Sequence, residues 1–326
     1  MKVFKNNKLF GKQPNSFRIS HLNLISLFDL HKSNIRNFLM ELDKNYEIDI
    51  DSLKYIINEV YKLHGKKYVD IFLRFLNRKQ FNIKLDKRLI EIGHKFIQAV
   101  ESNNLVYLKE LIKPLDNFDK KIIFELIKHK GFNALHHAVS SSDISIIKFI
   151  LDNGADIDAI TDQGFTPLVI ATLNKRVNVA TYLIKEGANL NFVSKANWSL
   201  IHYASYFNCP RLVKIYLKYD LPINLKTNLG QTALHWAAAG GFKQVIKYLV
   251  KAKANVNLQD NDGNTPFHYA VWHNHINIVK YLLQHGGDLS IKNKEGLNVY
   301  DMAVSMKRVE IINELKKYKQ NKTKTA

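Results

Sequence analysis

The sequence predicts an all-α solenoid of paired antiparallel helices with protruding turns, preceded by a small helical unit. Three observations in one register carry this. An octapeptide pattern recurs six times at 33-residue spacing: GFNALHHA from Gly131, GFTPLVIA from Gly164, NWSLIHYA from Asn197, GQTALHWA from Gly230, GNTPFHYA from Gly263 and GLNVYDMA from Gly296. Each copy is followed by an apolar segment, such as IKFIL at Ile147, VKIYL at Val213 and VKYLL at Val279. Five are followed by a turn in the same register: GADID at Gly154, GANLN at Gly187, DLPIN at Asp220, KANVN at Lys253 and GGDLS at Gly286. A fixed period of this length means that each unit stacks on its neighbours to complete a core.

Within a unit, Thr166-Pro167 and Thr265-Pro266 mark a helix start, because a Thr hydroxyl caps free N–H groups and Pro at the next position already has helical φ. The small residue closing the octapeptide (Ala138, Ala171, Ala204, Ala237, Ala270, Ala303) lets a second antiparallel helix approach, and Leu, Ile and Val supply the buried stripe. Glycines such as Gly154 and Gly187 suit the left-handed residue that ends a helix. The Asp- and Asn-rich stretch that follows has the chemistry of a turn.

The pattern G-x-T-P-L-H-x-A, followed by a GADVN-like turn at a 33-residue period, resembles the ankyrin repeat, from about Leu126 to Tyr318. Two units depart from it. The last has Asp301 in place of the motif His and Val299-Tyr300 in place of Pro-Leu, as suits a capping unit whose outer face meets water. The third has Asn197 for Gly and Asp220-Leu221-Pro222 for the Gly-Ala turn, which suggests a displaced finger. Upstream, AVESNNLVYLKELI from Ala99 matches AVSSSDISIIKFIL from Ala138, but lies 39 residues before it and reads as a diverged repeat with a longer connection. The expected organisation is a disordered stretch over 1–17, a helical unit over 18–92, a diverged repeat over 93–130, the array with its cap over 131–318 and a basic tail over 319–326.

In the N-terminal unit, apolar residues recur at helical spacing over Ile35 to Leu42, Leu53 to Leu63, Tyr68 to Leu76 and Leu89 to Val100, with Ser33, Asp51 and Asp86 as caps. Its segment HGKKYVDIFLRFL faintly resembles an ankyrin second helix, so the unit either stands apart or continues the solenoid in degenerate form, and no other family resemblance attaches to it. The single Cys209 excludes an internal disulfide framework, and neither a secretory signal nor an apolar run long enough to span a bilayer is read from the sequence. A cytoplasmic monomer without a transmembrane segment is expected.

The net charge of +19 comes from 48 basic and 29 acidic residues. Such a field attracts phosphate backbones without reading bases. The accompanying richness in Asn, Ile, Tyr and Phe points to an A/T-rich genome as a source of the lysines. Nucleic-acid binding is therefore expected to be weak and non-specific, with lysine concentrated over Lys62 to Arg88 and Lys316 to Lys324.

Histidine recurs at one motif position, in His136, His202, His235 and His268. Stacked units would place these rings about 10 Å apart, too far for one zinc whose ligands lie at about 2.1 Å. Each His is instead expected to bond its own unit's hydroxyl, as Thr232 with His235 and Thr265 with His268, or neighbouring backbone. Cys209 with His202 has no third orienting group, and no phosphate loop, zinc spacing or nucleophile elbow occurs. No catalytic residue, metal or cofactor is assigned.

The resemblance implies a protein or peptide partner on the turn tips and the exposed side of the first helix, and aromatics concentrate there. Tyr203, Tyr206 and Phe207 share a helix face. Tyr269, Trp272 and His273 recur two periods later, with Trp236 between, and Phe165 and Trp198 occupy the motif's second position. Tyr203, Trp236 and Tyr269 either join this surface or pack beneath neighbouring fingers, whereas Tyr206, Phe207 and Trp272 are expected to be exposed anchors. The resemblance also implies, from Lys/Asn-rich composition, an effector of an intracellular bacterium delivered into a host cell. The rival readings are a nucleic-acid or anionic-membrane binder and an enzyme housed in the N-terminal helices.

Overall fold

The computed structural model describes residues 47–64, 82–84 and 87–325. The stretch expected to be disordered, the helices expected over Ile35 to Leu42 and Tyr68 to Leu76, the expected caps Ser33 and Asp86, and most of the basic stretch after Lys62 lie outside the described residues. Contacts divide the chain into two compact units, Met1–Pro167 and Leu168–Ala326.

In the first unit, helix α1 (Ile50–His64) buries Leu53, Ile56, Ile57 and Val60, the i, i+3, i+4, i+7 stripe read from sequence. Asp51, expected as its cap, falls inside its first turn. Strands β1 (Glu47–Asp49) and β2 (Asn82–Lys84) pair in parallel with Ile48 opposite Ile83, so this region is not purely helical. Helix α2 (Lys87–Glu101) packs on α3 (Leu105–Ile112), α4 (Asn117–Glu125) and α5 (Ala134–Ser141). Phe96 of α2 meets Phe124 of α4 edge-on at 5.5 Å. The connection between the diverged repeat and the first octapeptide is thus occupied by a helix, α4, which buries Ile122, Ile123 and Phe124. Helix α6 (Ile144–Asp152) packs on α5. The buried Glu125 carboxylate accepts the Asp156 N–H at 2.7 Å and so ties α4 to the turn after α6.

Helix α7 (Pro167–Leu173) leads into the second unit, which continues with α8 (Val177–Lys185), α9 (Leu200–Tyr206), α10 (Pro210–Tyr216), α11 (Ala233–Ala239) and α12 (Lys243–Lys251). It ends with α13 (Pro266–Trp272), α14 (Ile276–Gln284), α15 (Val299–Ser305) and α16 (Val309–Thr325). The first helices α9, α11, α13 and α15 stack in sequence, and each packs on the second helix that follows it. The alanines closing the octapeptides, Ala204, Ala237, Ala270 and Ala303, have no exposed surface, which explains the small side chain at that position. Thr172 Oγ1 and Tyr216 Oη lie 2.5 Å apart in the core, joining α7 to α10. Helix α16 runs through the stretch read as a tail.

The turns are linked in register. Asn228, Asn261 and Lys294 donate their N–H groups to the carbonyls of Ala196, Leu229 and Asp262, each one unit earlier, at 2.9–3.1 Å. Asn228 and Asn261 add side-chain bonds to the Lys195 and Asn228 carbonyls. The third unit belongs to this ladder, so its finger is not displaced as its sequence suggested. Asn197 takes φ +61 and Asp220 φ +49, the left-handed conformation that glycine fills at the matching positions of the sister units except at Lys253, φ +65. Asparagine and aspartate tolerate that region because their short polar side chains bond locally.

Among the described residues, no helix is long and apolar enough to cross a membrane.

Two glycines with the same backbone sign offer a test. Gly230 has φ +76, and a Cβ there would meet the Asn261 backbone nitrogen at 2.6 Å, whereas Gly296 has φ +77 and open space. Gly296→Ala should cost about 1 kcal/mol, the left-handed penalty alone. Gly230→Ala should cost roughly twice that or more, because the linked turns must separate. Urea unfolding of both variants measures the difference.

Candidate partner-binding surface

The motif histidines are structural links, and they fix where the first helices point. Nε2 of His202, His235 and His268 lies 3.3, 3.1 and 3.2 Å from the carbonyls of Gln231, Asn264 and Leu297, each in the next unit. A carbonyl only accepts, so Nε2 carries the proton. Nδ1 accordingly accepts the backbone N–H of the cap residue of its own helix: Ser199 at 3.2 Å, Thr232 at 3.0 Å and Thr265 at 3.2 Å. The pairings expected of Thr232 and Thr265 are present, with both hydroxyls 2.9 Å from Nδ1. His136 uses Asn133 as its cap partner and reaches the Ala159 and Phe165 carbonyls at 3.1 Å. Since both nitrogens of His202 are committed, it cannot serve as a base for Cys209, which is itself buried.

Burial pushes His202 and His235 down to about 4, with the accepting carbonyls opposing the shift only in part. His268 moves the same way for the same reason.

Around this frame the structure separates the sequence-picked aromatics into two groups. In the first, Trp198 lies 4.9 Å from Trp236, 5.1 Å from Tyr203 and 5.5 Å from Tyr206, and Tyr206 meets Trp236 at 5.2 Å and Phe207 at 5.0 Å. Tyr206 is 45% exposed, while Trp198, Tyr203, Phe207 and Trp236 are half-buried beneath and beside it. Phe207 is therefore less open than its position suggested, because its ring turns edge-on against Tyr206. Burial raises the Tyr203 phenol. Phe192, on the turn, adds a ring 6.4 Å from Tyr203. It sits outside the octapeptide, so the motif register did not point to it.

The second group centres on Trp272, which is 50% exposed. Its carbonyl accepts from Arg308 Nη2 at 2.8 Å, which braces the end of α13 against the following unit. Asp262, Trp272, His273, Asn293 and Glu295 line a depression of about 330 Å³ beside it. His273 is exposed and stacks on His275 at 6.1 Å. Tyr269 proves to be a brace beneath a finger: its hydroxyl donates to Asp260 Oδ2 at 2.7 Å and accepts from Gln231 Nε2 at 2.6 Å. Burial, with the Asp260 carboxylate alongside, raises it to about 12. Phe165 belongs to the first unit, where it is half-buried and its carbonyl closes a turn with the Thr161 N–H.

These observations define a repeat scaffold whose first helices and turns present aromatic side chains. The chain belongs to the ankyrin-repeat family: the model for ankyrin repeats (3 copies) matches residues 96–194 and 201–293. It is similar to the ankyrin repeat protein OPG025 of vaccinia virus, in the Western Reserve and Copenhagen strains, at 24% identity over 166 residues in each case. The match covers 45% of this chain and 25% of either viral protein, so the chain spans about a quarter of the length of these curated relatives.

The buried imidazoles predict a pH response. Their folded pKa, about 4 for His202 and His235, lies below the unfolded value near 6.5, so the unfolded chain binds more protons between these limits. Stability from this source is complete above about pH 6.5 and is lost as pH falls towards 4. The unfolding free energy from urea titrations should drop between pH 7 and 5, by on the order of 1–2 kcal/mol per histidine. A His235→Gln variant should be less stable at neutral pH but show a shallower decline.

Proposed function

We propose that this chain is a non-enzymatic interaction module that binds a protein or peptide through the aromatic surface built on α9, α11 and α13. The observation that carries this is the exposure of Tyr206 and Trp272, 45% and 50%, on first helices of the second unit. Large aromatics bury much area for little lost rotamer freedom, which is why they anchor interfaces. Half-buried Trp198, Trp236 and Phe207 support the Tyr206 ring from below, so a partner meets a rigid platform. Ankyrin repeats are interaction modules in general, and the partner's identity is a matter for the site. Action in a cytoplasm, including that of a host cell reached by an intracellular bacterium's effector, belongs to the same reading and rests on composition alone.

Pull-down from candidate lysates with the full chain and a Tyr206→Ala/Trp272→Ala variant tests it. Both residues are exposed, so the variant's unfolding free energy should stay within about 0.5 kcal/mol per substitution. Its affinity for a captured partner should fall at least about thirtyfold, the equivalent of 2 kcal/mol. Unchanged affinity would remove the anchors from the reading.

A further inference from the structure

The second helices of the second unit carry a feature that protein binding by the first helices leaves unused. Lysines stand there, or in the 3-10 turn Leu217–Tyr219 that follows α10 in the case of Lys218, in two ranks at the 33-residue period: Lys185, Lys218 and Lys251 in one, Lys214, Lys247 and Lys280 in the other. All six are exposed. The buried residues Leu212, Val213 and Tyr216 of α10, Val245, Ile246 and Leu249 of α12, and Ile278, Val279 and Leu282 of α14 fix the opposite side of each helix to the core. Lys280 meets Glu314 at 3.5 Å, and the other five meet no carboxylate among the described residues. The sequences of α8, α10, α12 and α14 contain no Asp or Glu, while α10 and α12 add Arg211 and Lys243.

We propose that this second-helix face is a sequence-independent binding surface for the phosphate backbone of nucleic acid. Lysines four residues apart stand about 6 Å apart along a helix, and neighbouring helices in such a stack lie about 8–10 Å apart. Each charge therefore sits within about one Debye length of several like charges. They repel one another, and a polyanion relieves that repulsion. A duplex, with one negative charge per 1.7 Å of axis, gains from releasing its own counterions as well. Lysine gives point charges on flexible stems rather than the planar fork that reads a base edge. An anionic bilayer fits less well, because stable attachment to a membrane needs inserted apolar groups besides charge. Of the large exposed apolar residues in this unit, Tyr219 alone follows directly on a lysine of these ranks.

The test is anisotropy of a labelled random-sequence DNA duplex with the full chain, titrated across salt concentrations. Lys214→Gln/Lys247→Gln/Lys251→Gln is compared with Lys195→Gln/Lys292→Gln/Lys294→Gln, which takes three exposed lysines from the turns instead. Both variants lower the net charge equally, from +19 to +16 (19 − 3). The second-helix variant should bind at least about tenfold more weakly at low salt, and its slope of log K against log salt should fall by about 2–3. The turn variant should stay near the parent. Equal losses in the two, or an unchanged slope, would overturn the proposal. So would stronger retention on phosphatidylserine vesicles than on the duplex, lost in the same variant. Lys214→Arg/Lys247→Arg/Lys251→Arg keeps the charge and must keep the slope, which separates loss of charge from loss of fold.

Discussion

A neutral imidazole that accepts from its own helix start and donates to the next unit's turn is the interaction on which the second unit depends. In His202, His235 and His268 one ring satisfies a free N–H at a helix N-terminus and a carbonyl 29 residues further along. The helix-start N–H groups are buried and the carbonyls buried or half-buried, so leaving either without a partner would carry a desolvation cost. The ring therefore sets the distance between successive first helices and the placement of each finger over the next. Adding a proton at Nδ1 breaks the cap within a unit and leaves the Nε2–H donation in place, whereas moving the proton from Nε2 to Nδ1 breaks both the cap and the link between units.

Much of this was legible before any coordinates, for a definite reason. A first helix, a second helix and a turn repeated in phase leave only one arrangement that buries every apolar stripe, and Ala204, Ala237 and Ala270 sit where that arrangement requires a small side chain. The Thr232 and Thr265 contacts with histidine were readable because they join residues three apart in one helix start. The donation from Nε2 to the following unit was only partly readable, since it needs the register between units. The third unit's finger misled, because glycine was taken as required where Asn197 and Asp220 adopt the same backbone. Strands β1 and β2, three residues each, are too short to show alternation.

The surface was legible as a list of residues, and less so as an arrangement. Sequence register placed Tyr203, Trp236 and Tyr269 in equivalent positions, yet tertiary partners give them different roles. Tyr269 has an aspartate and a glutamine within hydrogen-bond reach and becomes a brace. Trp236 has two aromatic neighbours and becomes part of a platform. Those neighbours come from other units, and no pattern within one octapeptide reports them.

Asp301 takes the place of the histidine in the last unit. Its carboxylate oxygen accepts the Asn298 N–H at 3.5 Å, while Asn298 Oδ1 accepts from Asp301 N, so the cap within the helix is kept. An ionised carboxylate has nothing to donate onward. From His202 onward the linkage thus has a direction, each unit donating a hydrogen bond to the one after it, and Asp301 is where that donation stops; the second copy, with Val169 at this position, has no imidazole to donate. In polymer terms it is a terminating monomer: joined to the growing end through its backbone carbonyl at Leu297, and chemically unable to be extended by the same bond.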